Sequence, residues 1–239
     1  MPDLTLASAV HAAARQLADA GVSDPLVDAE LLAGHVLGLR RGEVQAVIIR
    51  GDAVEEADAD SLRALVTRRA GREPLQHITG TAPFRHLELA VGPGVFVPRP
   101  ETETVVQYAI DALLGSALPA PIGIDLGTGS GAIALAMATE VPHARVFATE
   151  LSPDAYPWAV RNTAGVDNLT LVNEDLAHAF PELDGTASVV ISNPPYVPDA
   201  AVPRDPEVRL FDPSMALYGG EDGLDFVRVL SVRALELLH

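Results

Sequence analysis

The stretch Ile124-Asp125-Leu126-Gly127-Thr128-Gly129-Ser130-Gly131 constrains this chain more than any other. It passes from an apolar, strand-like run into the helical pattern of Ala132 to Glu140 through glycines at every second position. A glycine turn between a strand and a helix lets a ligand approach the backbone closely, at the helix end where anionic groups are favoured. The alternation then continues. Ala144 to Thr149 reads as a strand, Pro153 to Ala164 as a helix, and Leu169 to Asn173 and Ala187 to Ser192 as further strands. With Ile122 to Leu126 as the first strand, this order predicts parallel strands joined by right-handed crossovers, an open α/β sheet that binds ligands at its carboxyl edge.

The glycines fall as G-x-G-x-G, because position 132 is alanine, and not as the dinucleotide pattern G-x-G-x-x-G. That spacing tilts the reading from a nicotinamide dinucleotide toward S-adenosylmethionine, which needs an acid for its ribose but has no pyrophosphate. Glu150, at the end of the second strand, is placed to take both ribose hydroxyls. Ser130 is no hydrolase nucleophile, since G-x-S-x-G would require glycine at 128 and 132. A nonenzymatic Rossmann-like binding module would keep the same loop, so the loop alone does not establish catalysis.

The last of these strands ends in Asn193-Pro194-Pro195-Tyr196. Two prolines cannot continue a ladder, so the chain turns stiffly at the carboxyl edge. The asparagine side-chain oxygen and the Pro194 carbonyl then offer two adjacent acceptors suited to a planar NH2 group. Binding both hydrogens of an amide or aromatic amine aims its otherwise delocalised lone pair at an electrophile, and Tyr196 can cover the planar group with its ring. Against a sulfonium methyl, alignment can supply much of the acceleration without a strong base. Glutamine, adenine and guanine all meet this requirement.

Residues 1 to about 72 read as a bundle of about four helices, with apolar stripes through Leu6, Val10, Ala13 and Leu17 and through Leu26, Ala29, Leu32 and Val36. Between 73 and 98, β-branched and aromatic residues in Gln76 to Gly80 and Phe84 to Val91 alternate with glycine and proline, which predicts a hairpin linker. The remainder, 99–239, opens on a helix start at Arg99-Pro100-Glu101-Thr102-Glu103.

Composition excludes several classes. With no cysteine there is neither a disulfide scaffold nor a cysteine zinc site, and the seven histidines show no ligand spacing, so no metal is expected. No apolar run approaches a membrane span, and no basic n-region opens the chain, which predicts a cytoplasmic protein away from membranes. The formal charge of -17, with all sixteen basic residues arginine and none clustered, argues against direct nucleic-acid binding.

Taken together, the helical N-terminal region, Pro74 to Gly80, Val97 to Glu103, Asp125 to Gly131, Asn193 to Tyr196 and Gly219-Gly220-Glu221-Asp222-Gly223-Leu224 resemble the release-factor glutamine methyltransferases. The resemblance spans nearly the whole chain. It implies a Rossmann-like class I methyltransferase domain that acts on the glutamine of the Gly-Gly-Gln motif in class I peptide chain release factors, working as a monomer. It also implies that Asp125, Gly127, Thr128, Gly129, Ser130, Gly131 and Glu150 hold S-adenosylmethionine, with Asn193 reaching it as well. Asp175 and Leu176 would lie against the adenine; some relatives carry tryptophan where Leu176 stands, so apolar packing is the role expected of it. Asn193, Pro194, Pro195 and Tyr196 would hold the glutamine amide, Asn193, Pro194 and Tyr196 being catalytic. Amino methylation of adenine or guanine in nucleic acid is the alternative activity. Because fewer strands are legible than this fold contains, the C-terminal strands are expected to lie outside the chain, in a continuation of about 40 residues past His239.

Overall fold

The computed structural model describes residues 4–239, which divide into two compact units. The first comprises the chain up to Gly80 together with Arg204–Phe211, and the second comprises Thr81–Pro203 and Asp212–His239.

The first unit is built from α1 (Leu6–Asp19), α2 (Pro25–Leu37), α3 (Arg41–Arg50), α4 (Glu56–Ala70) and the short α5 (Leu75–Thr79). The α1 stripe is as its spacing predicts: Leu6, Val10, Ala13 and Leu17 are buried and pack with Ala29, Leu32, Val44, Leu62 and Val66. On α2 the stripe differs. Leu26 is exposed, while Asp28 and Glu30 are buried. Those carboxylates tolerate burial because each has a cationic partner: Asp28 accepts from Arg69 Nε at 2.7 Å, and Glu30 from Arg41 Nε at 2.6 Å and Gln45 Nε2 at 3.0 Å. Gln76 to Gly80 is likewise not extended. Its β-branched residues, Ile78 and Thr79, lie within α5, whose turn closes where the Gly80 N–H donates to Gln76 O, and Ile78 joins the helical core.

The second unit opens with a hairpin, β1 (Thr81–Phe84) and β2 (Leu87–Ala90), paired antiparallel. The hairpin is no free linker. Phe84 and Leu89 are fully buried in the second unit's core, and Arg85 at the turn pairs through Nε and Nη2 with both Glu140 oxygens at 2.5 and 2.7 Å. After α6 (Pro100–Leu114) come β3 (Ile122–Leu126), α7 (Ala132–Glu140), β4 (Arg145–Thr149), α8 (Tyr156–Thr163), β5 (Leu169–Val172) and β6 (Val189–Ile191). All four central strands are parallel, in the order β5-β4-β3-β6. The helices α10 (Ser214–Leu217) and α11 (Asp225–Leu237) complete this unit, while α9 (Pro206–Phe211) belongs to the first.

Every residue of β3 is buried, as a parallel strand covered on both faces requires. The period of two sorts them. Ile122, Ile124 and Leu126 pack with Phe147, Phe180 and Leu237 on one face, whereas Gly123 and Asp125 turn toward α7. Gly123 leaves room there for two helices, since a Cβ would stand 3.2 Å from Leu113 Cδ1 of α6 and 3.3 Å from Met137 Sδ of α7. Burying large side chains such as Leu113 and Met137 contributes about 2–3 kcal/mol each.

Candidate active site

Strand register alone brings the candidate residues to one edge. Leu126 pairs with Thr149, Asp125 with Ile191, and Thr149 with Val172. The segments that follow, Gly127 to Gly131, Glu150, Asn173 to Leu176 and Ser192 to Tyr196, therefore all leave from the carboxyl side. The order of strands reverses at β3, with β4 on one side and β6 on the other. Such a reversal opens the crevice in which α/β sheets hold ligands.

The glycine loop is held chiefly by the end of β4. Gly127 and Thr128 N–H both donate to Thr149 O, at 3.0 and 2.8 Å, and Gly131 N–H donates to Thr128 O at 3.0 Å. Gly129 N–H donates to Glu150 Oε2 at 2.7 Å. These N–H groups are thus already taken up, three of them by the end of β4, and what the loop offers a ligand is room: a Cβ at Gly129 would meet nothing within 4 Å. Gly131 is required by the fold as well, because its φ is +85° and a Cβ would stand 3.2 Å from Thr163 Cγ2.

Asp125 ties the loop to the helix after it. Its Oδ2 accepts from Thr128 Oγ1 at 2.5 Å and from Ala134 N–H at 3.2 Å, while the buried Oδ1 has no partner among the described residues. Complete burial pushes its pKa up to about 7, against the two hydrogen bonds that favour the anion and with the nearby Glu150 charge adding to the rise. Glu150 is also raised by burial, opposed by the N–H groups of Ser152 and Gly129. Ser152 N–H donates to its other oxygen at 2.8 Å, so each oxygen accepts from a backbone N–H, and Leu151 N–H adds to the field that favours the anion.

Leu176 is partly buried, with Cδ2 3.9 Å from where a Gly127 Cβ would lie, and packs against the buried cluster that contains Ile124, Leu126 and Phe180. It forms an apolar wall beside the loop, the packing role its size suits. Asp175 is exposed and uses its carboxylate on the Ala177 N–H at 2.9 Å. A cavity of ≈ 590 Å³ lined by Val172, Glu174, Asp175, His178, Phe180, Pro181 and Glu182 lies beyond it and includes no loop glycine. At the other end of the crevice, Ser192 Oγ donates to Leu126 O at 2.5 Å, tying the start of Asn193-Pro194-Pro195-Tyr196 to β3. Asn193 and Tyr196 are exposed, Tyr196 at 66 %.

Two residues of structural weight carry no sequence motif. Asn162 of α8 donates to Ser130 O at 2.8 Å and exchanges hydrogen bonds with both backbone groups of Ala90, so it joins the glycine loop to β2. Asn173 donates to Glu150 O at 2.5 Å. An amide on an otherwise apolar-and-basic helix was the only available signal for the first. The helix-start residues are also explained: Arg99 pairs with Asp212 at 2.7 Å and lies over the Phe96 ring, and Glu103 accepts the Arg85 N–H at 3.1 Å.

Residues 8–80 match the PrmC N-terminal domain family, and 103–217 match the methyltransferase small domain family. A release factor glutamine methyltransferase of Streptomyces coelicolor is 52% identical over 98% of this chain and 81% of its own length. The chain belongs to the release factor glutamine methyltransferase family. Relatives of the same description from Bifidobacterium longum and Deinococcus radiodurans are 43% and 42% identical over 96% and 95% of the chain, and over 82% and 79% of their own lengths. Membership in this family fixes the fold of the second unit as a Rossmann-like class I methyltransferase domain. No helix among the described residues is long and apolar enough to cross a membrane.

Proposed function

We propose that the glycine loop and Glu150 seat S-adenosylmethionine and that Asn193 to Tyr196 cradle the side-chain amide of the Gly-Gly-Gln glutamine in class I peptide chain release factors, whose N5 nitrogen is methylated. The observation that carries this reading is the pairing of Asp125 with Ile191, which sends the cofactor loop and the acceptor turn off adjacent parallel strands at the switch point. The cofactor suits the residues present. There is open space at Gly129, an apolar wall at Leu176, and a carboxylate at Glu150 oriented by backbone N–H groups.

S-adenosylmethionine, when bound, supplies a sulfonium methyl as electrophile. Asn193 Oδ1 and the Pro194 carbonyl accept the two amide hydrogens and hold the nitrogen with its lone pair directed out of the amide plane, where Tyr196 can cover the opposite face. Neither acceptor is a base. The proton lost on N-methylation passes to water, which reaches the exposed Asn193. Binding both hydrogens rejects an oxygen acceptor, and two glycines before the glutamine let a narrow backbone enter. Methylating that glutamine tunes translation termination.

An amino group of adenine or guanine would satisfy the same two acceptors. A nucleic acid would also need free cations, and four arginines of this unit are already engaged with carboxylates: Arg85 with Glu140, Arg99 with Asp212, Arg228 with Asp222, and Arg233 with Asp184 and Glu236. We therefore read the enzyme as a monomer of the cytoplasm acting on a protein without direct nucleic-acid contact. The test is incubation with methyl-labelled S-adenosylmethionine and, separately, release factor, DNA and RNA, followed by mass spectrometry. Label on the Gly-Gly-Gln glutamine is the expected result, and Asn193→Ala should abolish it while keeping cofactor affinity. Label in nucleic acid with the release factor unmodified would overturn the reading in favour of the amino group of a base.

A further inference from the structure

The segment Gly219-Gly220-Glu221-Asp222-Gly223 has no part in the site as described, yet Asn193 to Tyr196 rests against it. A Cβ at Gly219 would stand 2.7 Å from Pro195 O, and one at Gly223 would stand 2.4 Å from Tyr196 O and 3.3 Å from Pro198 Cδ. Two of these are contacts with backbone, which no side-chain rotation can relieve. Three hydrogen bonds tie the residues just after the turn to this region: Val197 N–H to Leu217 O at 2.8 Å, Gly219 N–H to Val197 O at 2.9 Å and Asp199 N–H to Gly220 O at 3.0 Å. The supporting segment is itself anchored. Asp222 accepts the Leu224 N–H at 3.1 Å and both Arg228 terminal nitrogens at 3.0 and 2.5 Å, and Asp225 N–H donates to Gly219 O at 3.0 Å. The acceptor turn is thus packed behind, at Pro195 and Tyr196, while Asn193 and the Tyr196 ring face solvent.

We propose that Gly219 and Gly223 are positioning residues for methyl transfer: lacking side chains, they let residues 219–223 close on the back of the turn and so set where the Asn193 and Pro194 acceptors stand. The inference rests on the reading of Asn193 to Tyr196 as the acceptor cradle. Gly219 is the cleaner probe, because its φ lies outside the left-handed region and alanine there adds only a methyl group, which presses on Pro195 O and, from 2.8 Å, on Gly223 O of the supporting segment. To reach ordinary van der Waals separation, Pro195 O and residue 219 must part by roughly 0.7 Å. A displacement of that order at an aligned nucleophile lowers turnover by roughly 10- to 100-fold.

The experiment compares Gly219→Ala with wild type in the full chain. The expected result is a kcat roughly 10- to 100-fold lower, with the KM for release factor and the calorimetric Kd for S-adenosylmethionine each within about twofold. In amide NMR spectra, the Asn193 side-chain NH2 and Tyr196 N–H signals should move while those of Gly127 and Gly129 stay. Wild-type turnover with unmoved Asn193 and Tyr196 signals overturns the inference, and so does a change spread equally into the glycine loop. If Gly219→Ala does not fold, Asp222→Ala decides, since it releases the anchor without touching the turn. It should lower kcat several-fold at unchanged KM, and wild-type kcat in that variant overturns the inference. Should the wild-type chain methylate no release factor, the cradle reading itself falls, and the NMR comparison still reports whether residue 219 positions the turn.

Discussion

Glu150 Oε2 accepts the Gly129 N–H at 2.7 Å, so the carboxylate that would take the ribose is held by the very loop that would border it. With Ser152 N–H on the other oxygen, its orientation is set before any ligand arrives. Glu150→Ala should weaken S-adenosylmethionine binding by roughly 1–3 kcal/mol through lost charge-assisted hydrogen bonds. Glu150→Gln should recover little of this, because an amide NH2 must face one of two backbone donors. Burial raises the pKa of Glu150, so wild-type affinity should fall with acidification sooner than an ordinary glutamate would allow, while the Gln variant stays flat. Calorimetry over a pH series checks both; a flat wild-type profile would count against the carboxylate's role.

Asp125 makes stability depend on pH in the opposite sense from most acids. Its folded pKa, about 7, lies above the ordinary value of 3.8, so the folded state holds the proton more tightly than the unfolded chain does. Its contribution is therefore fully present below the unfolded pKa and is lost as pH rises through about 7. The loss is on the order of 2–4 kcal/mol for a group this deeply buried. Asp125→Asn keeps an oxygen for Thr128 and Ala134 and removes the charge, so it should flatten this slope and be relatively more stable at pH 8 than at pH 4. Denaturant titrations of both proteins across that range make the comparison.

Much of this architecture could be read before any coordinates, and the exceptions share a cause. The buried run Ile122 to Leu126, the glycine turn and the paired prolines announce themselves locally, because strand, turn and ladder break are each set by neighbouring residues. Gln76 to Gly80 misleads because Ile78 and Thr79 favour strands in isolation, whereas burial against α2 and α4 makes the segment helical. Buried Asp28 and exposed Leu26 become intelligible only once Arg69, far along the chain, is seen to pair with the former. Asn162 and the contact of Gly223 with Tyr196 O are longer-range still: one side chain and one missing side chain whose purposes lie on other elements.

Glu207 supplies a test within the first unit. It binds Arg69 Nη1 at 2.7 Å and Arg72 Nε and Nη2 at 2.9 and 2.7 Å, and so fastens α9 to α4 and the turn after it. Burial would raise its pKa, but the hydrogen bonds from Arg72 and Arg69 and with Asp205 prevail and lower it to about 2. Its contribution is therefore present above the ordinary glutamate pKa and is lost as pH falls through about 2. Glu207→Gln removes the nearer anion of Arg72 and leaves Arg69 with Asp28 alone, and should cost about 2–4 kcal/mol at neutral pH. Limited proteolysis should then cut within 204–211 well before wild type; equal resistance would show that other contacts hold this helix.

The exposed Tyr196 separates two ways of handling the acceptor. If the ring serves as a cover over the amide plane, its hydroxyl is dispensable and its face is not. Tyr196→Phe should then keep kcat within about threefold of wild type, whereas Tyr196→Ala should lose roughly 10- to 100-fold, the scale on which misalignment of a nucleophile slows transfer. Cofactor affinity should survive in both, because the loop and Glu150 are untouched. At 66 % exposure the ring contributes little to the core, so melting temperatures should stay close to wild type and the kinetic effect can be assigned to the site. The opposite order, with Phe as damaging as Ala, would assign the work to the hydroxyl and require it to bond the glutamine or the methyl donor directly.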